Sequence, residues 1–326
     1  MKKQIFILII VSAFIILSAT DYAESFLSNF PSSVGEGARG NLYTYSNSMN
    51  PMFFYNPANS STQETDRTFV GYEHKFLYSN SSQFNSASVI LPSIRKVRLG
   101  LGYINQIISG IPIYPEYSDS VSFDPEGYFS DNANCILLNV SYIYSDQPLS
   151  RYSVSCGANI KSVIHTIYEN FGFGAGLDMG LNASYYLGAK SSASPSKVSL
   201  GVSLKDVGGT KIKWDTALKT SETREMQYAL AGSYDLELKS IKSQIFVECN
   251  YSNREDGTVG LSLMYEYNEM MGVFTGMNEF LNAEDENLKR DMGGGVFVDI
   301  IGFGIYYGIS KLDIGFNHSV GLRYRV

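Results

Sequence analysis

The sequence predicts an all-β fold, a transmembrane antiparallel β-barrel of about fourteen strands with an N-terminal hatch segment in its lumen. Three observations predict it. The chain opens like an exported protein, it alternates with period two over long segments, and its longest connections all fall on one side of the strand order.

The first element is the leader. Lys2 and Lys3 precede an apolar run from Ile5 to Leu17 broken only by Ser12, and small residues follow at Ser18, Ala19 and Ala23. That order describes a secretory signal peptide over residues 1–23, removed from the mature protein. The run falls short of the roughly 18–20 residues that a membrane-spanning helix needs, which speaks against an uncleaved anchor. No cysteine lies nearby to carry a lipid. Beyond residue 23 no apolar stretch is long enough for a spanning helix, so a membrane-embedded mature chain has to close into a barrel, where no sheet edge faces lipid.

Composition narrows the partners. With 25 basic and 32 acidic residues the net charge is -7, which argues against nucleic acid. The three cysteines, Cys135, Cys156 and Cys249, are too few and too odd for a disulfide framework; each sits at an apolar strand position and reads as a small hydrophobe facing lipid.

The barrel proper is expected over residues 69–326. Its clearest strand runs from Phe171 to Gly188: Phe171, Phe173, Ala175, Leu177, Met179, Leu181, Ala183, Tyr185 and Leu187 share one face, while glycines, Asp178, Asn182 and Ser184 hold the other. Val198–Leu204, Val259–Tyr267 and Val320–Val326 repeat the pattern. A soluble sandwich alternates too. The length of the best segments, against the usual five or six residues of a soluble strand, and the abundance of aromatics (24 Tyr, 19 Phe) near strand ends favour a membrane barrel with interfacial girdles. Tyr103, Tyr142, Tyr144, Tyr185, Tyr186, Tyr265 and Tyr267 are the girdle candidates.

Strands are expected near 69–76, 86–93, 97–104, 134–144, 152–167, 172–187, 197–207, 227–236, 243–252, 257–268, 270–278, 291–299, 301–310 and 318–326. The longest connections, 105–133, 208–226 and 279–290, follow the third, seventh and eleventh strands and therefore open on one side, as the external loops of outer-membrane barrels do. Their charges read as solvated surface.

Residues 34–68 do not alternate, and the hatch, or plug, of the expected layout covers residues 24–68. Gly37 and Gly40 flank Ala38-Arg39 in a tight turn, and Asn56-Pro57 initiates another. The G-A-R-G element (Gly37, Ala38, Arg39, Gly40), followed by Y-N-P-A (Tyr55, Asn56, Pro57, Ala58), resembles the N-terminal hatch of FadL-like barrels, most nearly the PorV/PorQ type. Gly172–Leu187, Val198–Lys213 and the closing HSVGLRYRV resemble that family's central and last strands. The resemblance implies fourteen strands, with Asn56, Pro57 and Ala58 inserted in the lumen and Gly37–Gly40 shaping the turn before them. Where the family has a Gly/Ala-rich run after the Arg, this chain has Asn41-Leu42-Tyr43-Thr44-Tyr45, so hatch packing is expected to differ. Asn-Pro-Ala can also serve as a plain turn against the barrel wall.

Catalytic chemistry is not legible. Of His74, His165 and His318, the last two stand beside hydroxyl residues that alternate to the opposite face. There is no nucleophile elbow, zinc spacing or phosphate loop, and Gly293-Gly294-Gly295 reads as a crowded or bent strand. No cofactor is expected. Three roles remain open for a bacterial outer-membrane barrel, with outer-membrane lipid around it: passive uptake of small hydrophobic molecules, with Phe53, Phe54 and Tyr55 lining a pocket; a PorV-like part in protein secretion, with secretion-system proteins or secreted cargo as partners; and a structural or surface-exposed barrel with neither role.

Overall fold

The alternating segments become strands because each can turn its apolar set outward to lipid and its polar set inward, while neighbouring strands satisfy every backbone group. The structure is a computed structural model describing residues 27, 31–45, 52–62, 66–77, 81–114, 124–144, 151–187, 193–254, 257–281, 290–312 and 315–326. The expected signal peptide lies outside the described residues.

Among the described residues sixteen strands form in chain order: β1 (Phe69–Leu77), β2 (Ser82–Ile90), β3 (Val97–Ile113), β4 (Gly127–Ile143), β5 (Tyr152–Ile167), β6 (Asn170–Leu187), β7 (Ser196–Lys205), β8 (Thr210–Trp214), β9 (Ser221–Arg224), β10 (Gln227–Leu238), β11 (Ser243–Ser252), β12 (Thr258–Tyr267), β13 (Met271–Phe280), β14 (Arg290–Ile300), β15 (Phe303–Leu312) and β16 (Gly315–Arg325). All pairings are antiparallel between sequence neighbours, except that β7 pairs with β10, β6 with β8, and β1 closes on β16. The β8–β9 hairpin lies beside the ring, which leaves fourteen strands in the closed barrel.

Every expected strand is present; two of the expected loops need correction. The connection at 105–133 is largely strand, because β3 and β4 run on for 17 residues each. Asn105, Ser109, Ser130, Asn132 and Asn134 interrupt the outward set there, which broke the apolar alternation while the ladder continued. A register shift between Ile108 and Ile111 marks the extension, with Gly110 at φ 73. Within 208–226 the β8–β9 hairpin forms because β6 has 18 residues and β7 only 10, leaving Gly172–Ala175 with a free edge for β8 to pair. Five alternating residues are too few to register in a sequence.

The outward face is apolar along most of its height: Leu99, Leu101, Ile136, Leu138, Leu261, Leu263, Val296 and Ile305 are all exposed. Tyr103, Tyr142, Tyr144, Tyr185, Tyr265 and Tyr267 stand exposed among them, whereas Tyr186 alternates to the half-buried side. On β1–β4 the apolar belt ends at an amide ladder. His74 Nδ1 lies 2.8 Å from Asn85 Oδ1, the Asn85 amide donates to Asn105 (3.3 Å), and Asn105 donates to Asn132 (2.8 Å) and Asn134 (3.0 Å). Polar side chains near lipid need one another as partners, and the ladder supplies them. Cysteine placement is a second correction. Cys156 and Cys249 are exposed on the outside, but Cys135 alternates inward and is fully buried.

β3, β7 and β13 all finish at one end of the barrel, and the β8–β9 hairpin lies at that end too. By the loop asymmetry of outer-membrane barrels this is the external end.

Candidate functional site

The lumen is occupied by the chain's own N-terminal segment. Helix α1 (Ser33–Gly37) is capped by Ser32, whose hydroxyl accepts from the Gly35 amide at 2.9 Å. It ends where Arg39 (φ 55) and Gly40 (φ 79) turn left-handed, with the Gly40 amide on the Gly35 carbonyl at 2.9 Å. The tight turn expected at Gly37–Gly40 is therefore the C-terminal end of a short helix. A non-glycine residue takes one of its left-handed positions, held by the ion pairs of Arg39 described next.

Those ion pairs dock α1 to the strands either side of the chain-closing seam. Glu36 is completely enclosed and receives Lys75 of β1 (2.8 Å), Arg39 (2.9 Å), the Asn317 amide (3.3 Å) and the Ser310 hydroxyl. Arg39 also pairs with Asp291 of β14. Beside them Glu73 of β1 accepts from the Ser33 backbone (3.0 Å) and from Arg323 of β16, whose guanidinium stacks on Tyr306 at 3.9 Å. Burial by itself would raise the Glu36 carboxyl; Lys75 and Arg39 overcome it and hold the group at about 2.

The Asn41–Tyr45 stretch has its own seats on the wall. Asn41 donates to the carbonyls of Leu261 (3.3 Å) and Met277 (3.1 Å) and accepts from Asn250 (2.9 Å). The amides of Tyr43 and Thr44 both donate to the Glu248 carboxylate at 2.8 Å, and Tyr45 meets Phe246 edge-on at 4.8 Å. Larger polar side chains than the family pattern are thus matched by amide and carboxylate groups on β11–β13.

The Asn-Pro-Ala element enters the lumen too. Asn56 caps the 3-10 helix Pro57–Thr62 through the Ala58 amide (3.1 Å) and donates to the carbonyls of Tyr43 (2.9 Å) and Leu181 (3.2 Å). Asn139 of β4 donates to the Pro57 carbonyl (3.1 Å), and Asn159 of β5 to that of Phe53 (2.9 Å). Ala58 is fully buried, and a side chain on Gly157 of β5 would strike the Pro57 carbonyl at 2.3 Å. Several glycines of the polar strand face are therefore the footprint of this segment. Gly293, expected to be crowded, is so: a Cβ there would lie 2.8 Å from the carbonyls of Glu36 and Gly37.

Phe53, Phe54 and Tyr55 divide. Phe53 packs against the wall at Gly100 and Gly102; Phe54 also meets Gly102 and, with Tyr55, borders a cavity of about 60 Å³ beside Ile104, Leu137 and Ala229. The cavity's other walls are charged. Lys161 pairs with Asp178 (2.7 Å) and Arg224 with Asp206 (3.0 Å), while Lys205 and Arg254 also reach it. The Lys205 ammonium stands 6.0 Å above the Tyr55 ring. Lys205 ends β7 and Arg254 follows β11 at the external end, and Arg224 sits where the β8–β9 hairpin meets the barrel at that same end, so the cavity lies on the external side of the hatch.

Residue-by-residue reading missed most of this charge. Glu36, Lys75, Glu73, Arg323, Lys161 and Asp178 each occupy the inward set of an alternating strand or the non-alternating segment; their partners are distant in sequence. Arg98 is the clearest omission. It is fully buried at the internal end and donates to the carbonyls of Leu91 (2.9 Å), Ser60 (3.2 Å) and Arg67 (2.9 Å), tying the end of the hatch to the β2–β3 turn. An arginine on the inward face of a strand is a signal that was available.

No protein-family model matches the chain, and no curated protein matches it. Solved structures do. The chain superposes on a mutant of the TodX monoaromatic hydrocarbon channel with a TM-score of 0.56 at 9% identity, covering 90% of this chain and 97% of that one. For the Pseudomonas putida (P. putida) toluene transporter TodX the values are 0.53, 9%, 92% and 97%. A third, the CymD monoaromatic hydrocarbon channel, superposes at 0.49 with 9% identity. At such identity the likeness to the first two shows the fold alone, a closed antiparallel β-barrel like those of outer-membrane channels. These neighbours are channels and not enzymes.

Proposed function

We propose that this barrel admits small hydrophobic molecules through the outer membrane, past an internal hatch. The observation that carries the reading is the position of Phe54 and Tyr55, at the boundary between the hatch and the externally placed cavity. The shared fold with hydrocarbon channels supports it. A cavity of about 60 Å³ is too small for an aromatic ring, since a cavity that takes benzene measures about 150 Å³. The ladder is also unbroken around the described barrel. Passage therefore requires the hatch to yield, and the polar seats of Asn41, Thr44 and Asn56 are bonds that can be exchanged for water.

The test is initial uptake of labelled toluene by cells lacking their own aromatic channel. Cells expressing this barrel should take it up several-fold faster than empty-vector cells, and Phe54→Ala should change that rate with the protein still in the outer membrane. Equal rates with and without the barrel would end the proposal.

A second reading is PorV/PorQ-type participation in protein secretion. It is favoured by the external projection of β3–β6, whose strands of 16–18 residues exceed the 9–12 residues of most other barrel strands, and by the appended β8–β9 hairpin. Together they offer a broad surface to a protein. Affinity capture through a tag on the barrel should recover translocon subunits or secreted cargo, and loss of the β8–β9 hairpin should reduce recovery. Under both readings the chain is exported by a cleaved leader.

A further inference from the structure

The lipid-facing wall of β12–β16 carries a groove where a convex surface is expected. Register sets Leu263, Thr275, Gly294 and Ile309 side by side in one outward row, and Leu261, Met277, Met292, Lys311 and Phe316 in the row above, toward the external end. Gly294 and Thr275 leave the first row empty between two large side chains. The result is a groove of about 450 Å³ walled by Leu261, Leu263, Met277, Met292, Ile309 and Phe316, within the range of small-ligand sites.

Two features distinguish it from ordinary roughness. Its floor cannot sink. Immediately behind it a side chain on Gly276 would lie 2.1 Å from the Ala38 carbonyl, and one on Gly293 2.8 Å from those of Glu36 and Gly37, so the hatch backbone braces the wall from inside. The one hydroxyl on the floor is satisfied, since Thr275 donates to the Gly293 carbonyl at 2.7 Å. The rim, by contrast, is charged. Lys311 is exposed in the outward row between Met292 and Phe316, and has no ion-pair partner among the described residues. The nearest cation in the row above, Arg290, is already paired with Glu279 at 3.7 Å.

An apolar slot in the lipid zone with an exposed ammonium at its external rim matches one acyl chain with a phosphate above it. We propose that this groove is a binding site for a phosphorylated acyl glycolipid of the outer leaflet, of the lipid A class, with one chain over Gly294 and a phosphate on Lys311. The site is independent of transport through the lumen.

Native mass spectrometry of the detergent-purified barrel, with diphosphoryl lipid A or phosphatidylethanolamine added, tests this. Wild type should retain one lipid A in preference to phosphatidylethanolamine. Gly294→Leu fills the groove, and its Cβ meets nothing nearer than the Phe274 carbonyl at 3.4 Å; Lys311→Glu reverses the rim. Each should lower lipid A retention about tenfold while heat-modifiable gel mobility, the mark of a closed barrel, stays as in wild type. Unchanged retention in both variants overturns the proposal. So does equal retention of phosphatidylethanolamine by wild type, or a Gly294-dependent dimer in place of lipid, which would make the groove a contact between copies.

Discussion

The Lys75 ammonium and the Glu36 carboxylate meet at 2.8 Å inside the barrel, with both residues closed off from solvent (0% and 1% exposed). One belongs to the first strand of the wall and the other to the hatch helix, so the pair joins plug to barrel. The Phe84 ring beneath Lys75 (5.4 Å) leaves little else to solvate that charge. Removing one member of such a pair strands the other, which costs about 3–5 kcal/mol, whereas replacing both with apolar groups can be close to neutral.

Glu36→Gln is therefore expected to loosen the hatch, because Lys75 and Arg39 lose their shared anion. Hydrogen exchange at the Gly40 amide should accelerate at least a hundredfold. The double variant Glu36→Gln/Lys75→Met should recover part of the protection. If the single variant exchanges as slowly as wild type, the pair does not hold the hatch.

The same carboxyl sets a pH dependence. Its level of about 2 lies below the ordinary 4.5, so its contribution to docking is complete above about 4.5 and is lost as pH falls through 2. The magnitude is on the order of 3 kcal/mol. Gly40 protection, corrected for intrinsic exchange, should be level from pH 7 to 5 and fall between 4 and 2. In Glu36→Gln this fall should be smaller. An identical fall in the variant would assign it to other groups.

Steric seating gives a third expectation. A Cβ on Gly308 of β15 would lie 2.1 Å from the Ser33 carbonyl, while one on Gly232 of β10 meets only Leu200 at 3.7 Å. Gly308→Ala should lift α1 and raise single-channel conductance in planar bilayers severalfold; Gly232→Ala should leave it unchanged. Equal conductance in the two variants would show that the wall tolerates the displacement.

At the internal end, Arg98→Met should free the carbonyls of Leu91, Ser60 and Arg67 from their shared donor. Each hydrogen bond to a charged group contributes about 1.5–3 kcal/mol. Protease nicking between residues 60 and 68 should then speed up by tenfold or more, with Arg98→Lys intermediate because a single ammonium cannot reach three carbonyls in fixed directions. Wild-type nicking rates in Arg98→Met would remove Arg98 from the hatch anchor.

The barrel was legible because its cause is local: alternation over ten or more residues states which face meets lipid, and the polar face of Phe171–Gly188 had no other use. Residues 34–68 were legible as a separate element for the converse reason, since they do not alternate. Within that element a turn between Gly37 and Gly40 and the Asn56-Pro57 initiation were readable from backbone preferences alone; that the turn ends a helix with Arg39 left-handed was not. The β8–β9 hairpin and the extended β3–β4 ladder were not, since a short strand and a water-facing one leave no apolar period.

By itself, then, the sequence determined a closed wall with one oily and one small or polar face, because that depends only on neighbours two residues apart. Which inward groups form the lumen was decided by tertiary structure. Glu36 with Lys75, Asn41 with Asn250, and Thr44 with Glu248 are partners brought together by closing β1 on β16 around the hatch. Cys135 is the converse case: it shares the parity of Asn139 and Ser141 and is opposite to Ile136, Leu138 and Val140, so its inward face follows from alternation within its own strand.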